Sequence, residues 1–334
     1  MLNSKVHNLN RMQGHTALCL CIVVAALALA GCSKRGEEVR FHRFEQLLFG
    51  APTDQLPARL QSQQAEFDSE LIVLFPDDPE FIQMTQGFVD DSVMRGVYHI
   101  VDSLYHDLSD VEQQLGQALS RAYRLCPKMQ HVERFYTMVT GDFNYDFRVF
   151  SNRSDLCVCL DEYALGSMGK YQYFNTPAYL VRTCSHEHIV PDCLYTLAGL
   201  YIQRLEGEHT LLDYAIAEGK KLYFIEKAMP AIADSTLLRY TADQLVWMRE
   251  NEKNVWGWLI QNKLLYSTDI SLMRNLLNDA PHTNNFGAGS APRTAHYIGW
   301  QIVKAYMKKS GATMEELMEE TDSRKILTLS AWRP

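Results

Sequence analysis

The stretch that most constrains this chain is 186–224, which reads as two amphipathic helices. The connection Glu206-Gly207-Glu208 is too short for anything but an antiparallel hairpin. On the first helix Val190, Cys193, Leu194, Leu197 and Tyr201 recur at helical spacing and make one apolar stripe, and Pro191 in a first turn places the helix start near residue 189. On the second, Leu211, Ala215, Glu218 and Leu222 step by four, three and four, so a carboxylate falls inside a row that packing should bury. A charge there needs a partner.

Such a hairpin is similar to the one in zinc peptidases that carry H-E-x-x-H on one helix and a third, glutamate ligand on the next. Laying Ile189-Val190 over the apolar pair that precedes that motif puts Pro191, Asp192, Cys193, Leu194 and Tyr195 at the motif positions. Proline has no side-chain lone pair and a phenol replaces a neutral imidazole poorly, so only Glu218 remains of the ligand set. His186 and His188 offer an irregular set. Two residues apart on a helix they point about 200° away from each other, whereas in an extended segment they share a face that Glu218 or Asp192 can join. Nothing supplies a general base together with an open coordination position, so the expectation is no metal, no cofactor and no catalytic residue. In zincin relatives an arginine, histidine or tyrosine from late in the chain approaches the site, which makes Arg293, His296 and Tyr297 pocket candidates.

A longer pattern runs through the same region. It comprises Ile189-Val190-Pro191-Asp192, Ala217-Glu218-Gly219-Lys220-Lys221-Leu222-Tyr223-Phe224, Tyr240-Thr241, Trp256, Leu264-Leu265-Tyr266-Ser267, Ala280-Pro281 and Gly299-Trp300-Gln301-Ile302-Val303. In order, from about the mid-120s to the end, it resembles the gliding-motility lipoprotein GldB family. The resemblance implies an envelope lipoprotein of the Bacteroidetes lineage, associated with gliding and its secretion machinery. The family is similar in turn to a group of zinc-dependent peptidases, and its members generally lack H-E-x-x-H.

The N-terminus supports an envelope address. Lys5 and Arg11 precede the apolar run Thr16–Ala30, too short for a comfortable membrane span and suited to a signal-peptide core. It ends in Leu29-Ala30-Gly31-Cys32, a lipobox: cleavage falls between Gly31 and Cys32, and the Cys32 thiol carries the lipid. Ser33 is not a retention aspartate, which favours the outer membrane facing the periplasm. The chain has 32 basic and 40 acidic residues, and loss of Lys5 and Arg11 with the leader takes the formal charge from −8 to −10. That sign argues against nucleic acid and gives no attraction to anionic lipid, so attachment rests on the lipid chains.

The body, 38–334, is expected to be a single domain after a leader at 1–31 and a tether at 32–37. The whole chain's 47% hydrophobic and 22% charged residues exclude a disordered body. Val39–Phe49 reads as a strand and turn, Leu56–Phe67 as a helix, and Phe75–Pro79 as a breaker. Helices then span 80–125 with an interruption at Leu108-Ser109-Asp110, where Ser109 or Asp110 can cap. Three β-type segments, Glu133–Thr140, Phe147–Phe150 and Leu156–Leu160, with turns at 141–144 and 151–155, predict an antiparallel meander. C-terminal helices fill 240–330: Thr241–Gln244 is a capping box opening a helix to about Glu250, Trp256 to Leu265 is a second apolar segment, Ile298–Met307 is a buried helix, and Thr313–Glu316 caps a short one. Between them, Asp279–Ala291 has the Gly and Asn content of a mobile loop. His99 and His106 read as ordinary core or surface histidines. Five cysteines remain after the leader and Cys32, and one bridge is possible in an oxidising envelope, for example to Cys184 or Cys126.

The fold class expected is therefore α+β, mainly helical, with a small antiparallel or mixed sheet and a zincin-like arrangement that has lost its metal chemistry. The function expected is non-catalytic binding to envelope proteins of the gliding or secretion apparatus. Two readings compete: an active zinc metallopeptidase with an irregular ligand set, and a carbohydrate-binding lipoprotein using Trp256 and Trp258.

Overall fold

The computed structural model describes residues 36–142, 147–169, 176–203 and 207–334. Gly31 and Cys32 with the whole leader, most of the tether, Phe143-Asn144 of one expected turn and Glu206 of another lie outside the described residues. The chain divides into residues 1–37 and a compact unit, 38–334.

That unit opens with β1 (Phe41–Arg43), which passes directly into α1 (Phe44–Phe49), so the strand expected over 39–49 is only three residues long. Helices α2 (Leu56–Phe67), α3 (Pro79–Asp90), α4 (Ser92–Tyr105) and α5 (Ser109–Leu125) follow. Asp91 breaks what the apolar spacing suggested was continuous, because its carboxylate caps the next helix by accepting from the amides of Val93 and Met94. Neither Ser109 nor Asp110 caps α5; the Ser109 amide is met by Asp107 instead.

The sheet is mixed and not a meander. Its strands β2 (Arg134–Met138), β3 (Val149–Ser151) and β4 (Asp155–Cys159) lie in the order β1-β2-β4-β3, with β1 parallel to β2, β2 parallel to β4 and only β3 antiparallel to β4. Helices α1 to α5 supply the crossover from β1 to its parallel neighbour β2, while the connection from β2 to β4 carries β3. Every residue of β4 is buried, as a strand covered on both faces should be.

Short helices α6 (Leu160–Tyr163) and α7 (Ala178–Val181) lead to the expected pair, α8 (Ile189–Tyr201) and α9 (Leu211–Ala228). A capping box between Thr210 and Asp213 starts α9. After α10 (Asp234–Leu238), the box at Thr241 opens a single 20-residue helix, α11 (Ala242–Gln261), which runs past Glu250 and includes Trp256 and Trp258 as well as Trp247. The remaining helices are α12 (Ile270–Leu277), α13 (Thr294–Ser310), α14 (Met314–Glu319) and α15 (Ser323–Ser330).

The main partner of α9 is α13 and not its hairpin neighbour α8. Glycines let their backbones touch: a Cβ on Gly299 would lie 1.7 Å from the Ala215 carbonyl oxygen, and one on Gly219 would lie 2.4 Å from the Gly299 carbonyl carbon. No larger residue fits either position without moving a helix. This crossing brings Glu218 of α9 beside His296 of α13.

The loop 279–291 is pinned. Thr283 and Ser290 are buried; the Ser290 hydroxyl accepts from the Thr283 amide and donates to the Thr283 carbonyl, and the Thr283 hydroxyl donates to the Ala291 carbonyl. All five body cysteines are buried and free, so the bridge considered for Cys184 or Cys126 does not form. Cys159 Sγ donates to the Phe147 carbonyl, Cys184 Sγ accepts from Arg148 Nη1, and burial pushes the Cys126 thiol up to about 12. No described helix is long and apolar enough to cross a membrane.

Candidate functional site

A cavity of about 600 Å³ opens between α8, α9, α12 and α13. Two carboxylates, one from each helix of the expected pair, reach it: Asp192 and Glu218.

Asp192 is buried in the first turn of α8, and both of its oxygens are engaged. Oδ2 accepts from the Tyr163 hydroxyl at 2.8 Å and lies 3.5 Å from Arg148 Nε; Oδ1 accepts from Arg239 Nη2. Burial alone would raise this carboxyl, but the charges of Arg148 and Arg239, then His188 and the Tyr163 hydroxyl, hold it below the ordinary range. Arg148 is itself fixed by donating to the Thr183 carbonyl at 3.0 Å. Arg239 ends α10 in the left-handed region, at φ 58°, where a residue with a Cβ costs about 1–2 kcal/mol. Arg293, at φ 50°, is in the same state at the start of α13. Two strained arginines lining one cavity is the kind of coincidence that accompanies function.

Glu218 is held differently. Its Oε2 accepts from the Tyr195 hydroxyl at 2.5 Å, and its Oε1 accepts from Lys221 Nζ at 2.7 Å; the same ammonium donates to the Tyr195 oxygen at 3.0 Å. Burial opposes ionisation, yet the charges of His296 and Lys221 and the hydrogen bonds from Lys221 and Tyr195 bring Glu218 down to about 2. At neutral pH the ammonium is the resident partner, because His296 is neutral. Arg293 Nη2 lies 2.9 Å from His296 Nδ1, and a guanidinium can only donate, so Nδ1 presents its lone pair and the ring proton sits on Nε2. Burial and then the Arg293 charge push His296 down to about 3. Arg293 also pairs with Asp279 at 3.5 Å.

Of the residues singled out from sequence, Asp192, Tyr195, Glu218, Arg293 and His296 meet at this cavity. Pro191, His186, His188 and Tyr297 do not line it. His186 is exposed, 3.2 Å from Asp110 and stacked on Tyr105. His188 is buried and bonded to Ser185 Oγ at 2.8 Å, and burial lowers it to about 4. The two imidazoles therefore do not converge, because 186–188 is a tight 3₁₀ turn and not an extended segment. Tyr297 is buried on another side of α13, packed edge-on against Trp300. Trp256 packs edge-on against Trp332, and Trp258 against Phe286. His99 and His106 lie on the surface of α4 and just beyond it.

The family model for the gliding motility protein GldB matches residues 32–334. The chain belongs to the GldB family. No curated protein and no solved structure matches it.

In this GldB chain the residues missed from sequence are Lys221, Arg148, Arg239, Asp279 and Tyr163. Lys221 was legible: it follows Glu218 by three residues on one helix, a spacing at which opposite charges meet. The others come from four separate elements, and no local pattern announces them. Tested as a zinc site, the cluster does not fit. Both oxygens of Glu218 and of Asp192 are taken, the Nδ1 lone pair of His296 faces a guanidinium, and among the described residues no three His, Cys, Asp or Glu side chains are grouped to share an ion.

Proposed function

We propose that this GldB-family chain is a non-catalytic envelope lipoprotein whose zincin-like helical pair has become a binding cavity. Lipid on Cys32 anchors it in the outer membrane facing the periplasm, and its partners are envelope proteins of the gliding and secretion apparatus. The observation that carries the reading is the Lys221 ammonium lying against Glu218 and Tyr195. A fixed organic cation there satisfies the carboxylate that a catalytic ion would use, and it leaves no free general base beside it. Family membership supports the gliding and envelope association.

Metal analysis of protein purified without an affinity tag tests it. The expected result is far less than stoichiometric zinc, unchanged by Glu218→Ala. Stoichiometric zinc that Glu218→Ala removes overturns the reading in favour of a metallopeptidase with an irregular ligand set.

A further inference from the structure

We infer that the cavity binds an apolar monocarboxylate, a carboxylate group carried next to a hydrophobic body. The inference rests on the reading of the cavity as a binding site and adds the chemistry of what is bound.

Cationic groups dominate the polar wall. Arg148, Arg239, Arg274 and Arg293 line it against Asp192, Glu218 and Asp279. Each acid already has a cation: two guanidiniums on Asp192, Lys221 on Glu218, Arg293 on Asp279. One cation is left over, and one guanidinium nitrogen is only loosely held. Arg274, exposed on α12, has no hydrogen-bond or ion-pair partner among the described residues. Arg293 is buried, and its Nη1 makes no hydrogen bond, having only the 3.5 Å approach to Asp279. Buried donors in that state are stabilised by any acceptor that reaches them, and a planar guanidinium matches a carboxylate best. The apolar side chains beside these donors favour a carboxylate carried on a hydrophobic body over a free phosphate.

The apolar half comes from one helix face. Ile270, Met273, Arg274 and Leu277 fall at i, i+3, i+4 and i+7 of α12 and all line the cavity, placing the unpartnered guanidinium within an apolar stripe. Ile270 is 62% exposed, and Tyr214, which also lines the cavity, is 41% exposed. Surface of that kind beside a charged floor suits an amphiphilic ligand, and about 600 Å³ lies within the range for small-molecule sites. The shared chemistry has two sources, the C-terminal residue of a peptide and a free fatty acid.

Isothermal titration of the detergent-solubilised full-length protein with N-acetyl-leucine and hexanoate, and with their amides N-acetyl-leucinamide and hexanamide, tests the inference. At least one carboxylate should bind, and its amide should bind at least about tenfold more weakly. Preference for N-acetyl-leucine assigns the site to peptide ends, and preference for hexanoate assigns it to fatty acids. Arg274→Ala should weaken the carboxylate about tenfold, while Arg333→Ala, an exposed arginine near the C-terminus, leaves it unchanged. Equal binding of acid and amide, no effect of Arg274→Ala, or no heat with either acid up to about 10 mM overturns the inference and leaves the non-catalytic reading standing. Repeating the titration with EDTA and with added zinc separates the two. Binding that persists in EDTA supports both, and binding seen only with zinc overturns both.

Discussion

Asp192 and Glu218 reach one cavity from paired helices, yet they are neutralised by different means. Asp192 is clamped from a distance, by Arg148 before β3, Tyr163 at the end of α6 and Arg239 at the end of α10. Glu218 is satisfied mostly from nearby, by Lys221 on its own helix and Tyr195 on α8. Both kinds of cation stay charged at ordinary pH: burial opposes the charge on Lys221, but the Glu218 carboxylate and the Tyr195 hydroxyl raise its ammonium above the usual range. The Asp192 end is thus a tertiary tie that holds four segments together. The Glu218 end is a local ion pair that sets the field in the cavity, and it depends on the α9–α13 crossing for its histidine.

Breaking that crossing should produce the largest effect. Gly299→Ala drives a methyl into the Ala215 carbonyl, and separating the helices should cost about 3 kcal/mol or more. Thermal melting checks this against Gly257→Ala in α11, where a Cβ meets nothing within 4 Å and the change should gain up to about 1 kcal/mol. Equal melting of the two variants would mean that His296 and Glu218 are not brought together by a backbone contact. Next comes Asp192→Asn, which leaves two guanidiniums facing a neutral amide and should cost about 3 kcal/mol in urea unfolding. A loss below that of the matching Glu218 variant would invert the comparison.

These two predictions mark the line between what periodicity could and could not show. The apolar stripe of α8 and the buried row of α9 placed Asp192 and Glu218 on facing helices, and the capping boxes at Thr241 and Thr313 fixed two helix starts to the residue. Local patterns carry that information because helix spacing and caps are local physics. A small antiparallel or mixed sheet was legible, but its pairing was not: strand segments 133–160 look the same whether β4 pairs with β3 alone or slides in beside β2, and β1, three residues long, gives almost no alternation. Nor was the loop 279–291, whose Gly and Asn content hid two buried hydroxyls that pin it. The arginine clamp on Asp192 depends on which loops meet, and that is settled only by the packed chain.

The Glu218 pair is the next test. Glu218→Gln leaves Lys221, whose side chain is 17% exposed, without its anion and should cost about 2 kcal/mol. Lys221→Met alone leaves the carboxylate uncompensated and should cost a similar amount. The double variant should recover much of either loss, because two well-packed neutral side chains replace an enclosed ion pair at little net cost. A double-mutant cycle in urea reads the coupling directly. Coupling near zero would make the ammonium an incidental neighbour, and the description of Glu218 as locally satisfied would fail.

The smallest effect is in mild acid, where the histidines of both ends should respond before the carboxylates. His296 and His188 are lowered to about 3 and about 4 from 6.5, so below about pH 6.5 the unfolded chain takes up protons that the folded chain refuses, and stability falls as pH falls. Glu218, lowered to about 2 from 4.5, and Asp192, lowered by its guanidiniums, begin to lose their contribution only below about 4.5. Urea midpoints should therefore decline by the equivalent of about 1 kcal/mol between pH 7.5 and 6, with the same decline in Glu218→Gln. A flat profile over that interval would mean that the folded state accepts the proton on His188 and on His296. His296 Nδ1 would then donate to Glu218, 3.5 Å away, where it now accepts from Arg293, and both acids would be held by cations brought from afar.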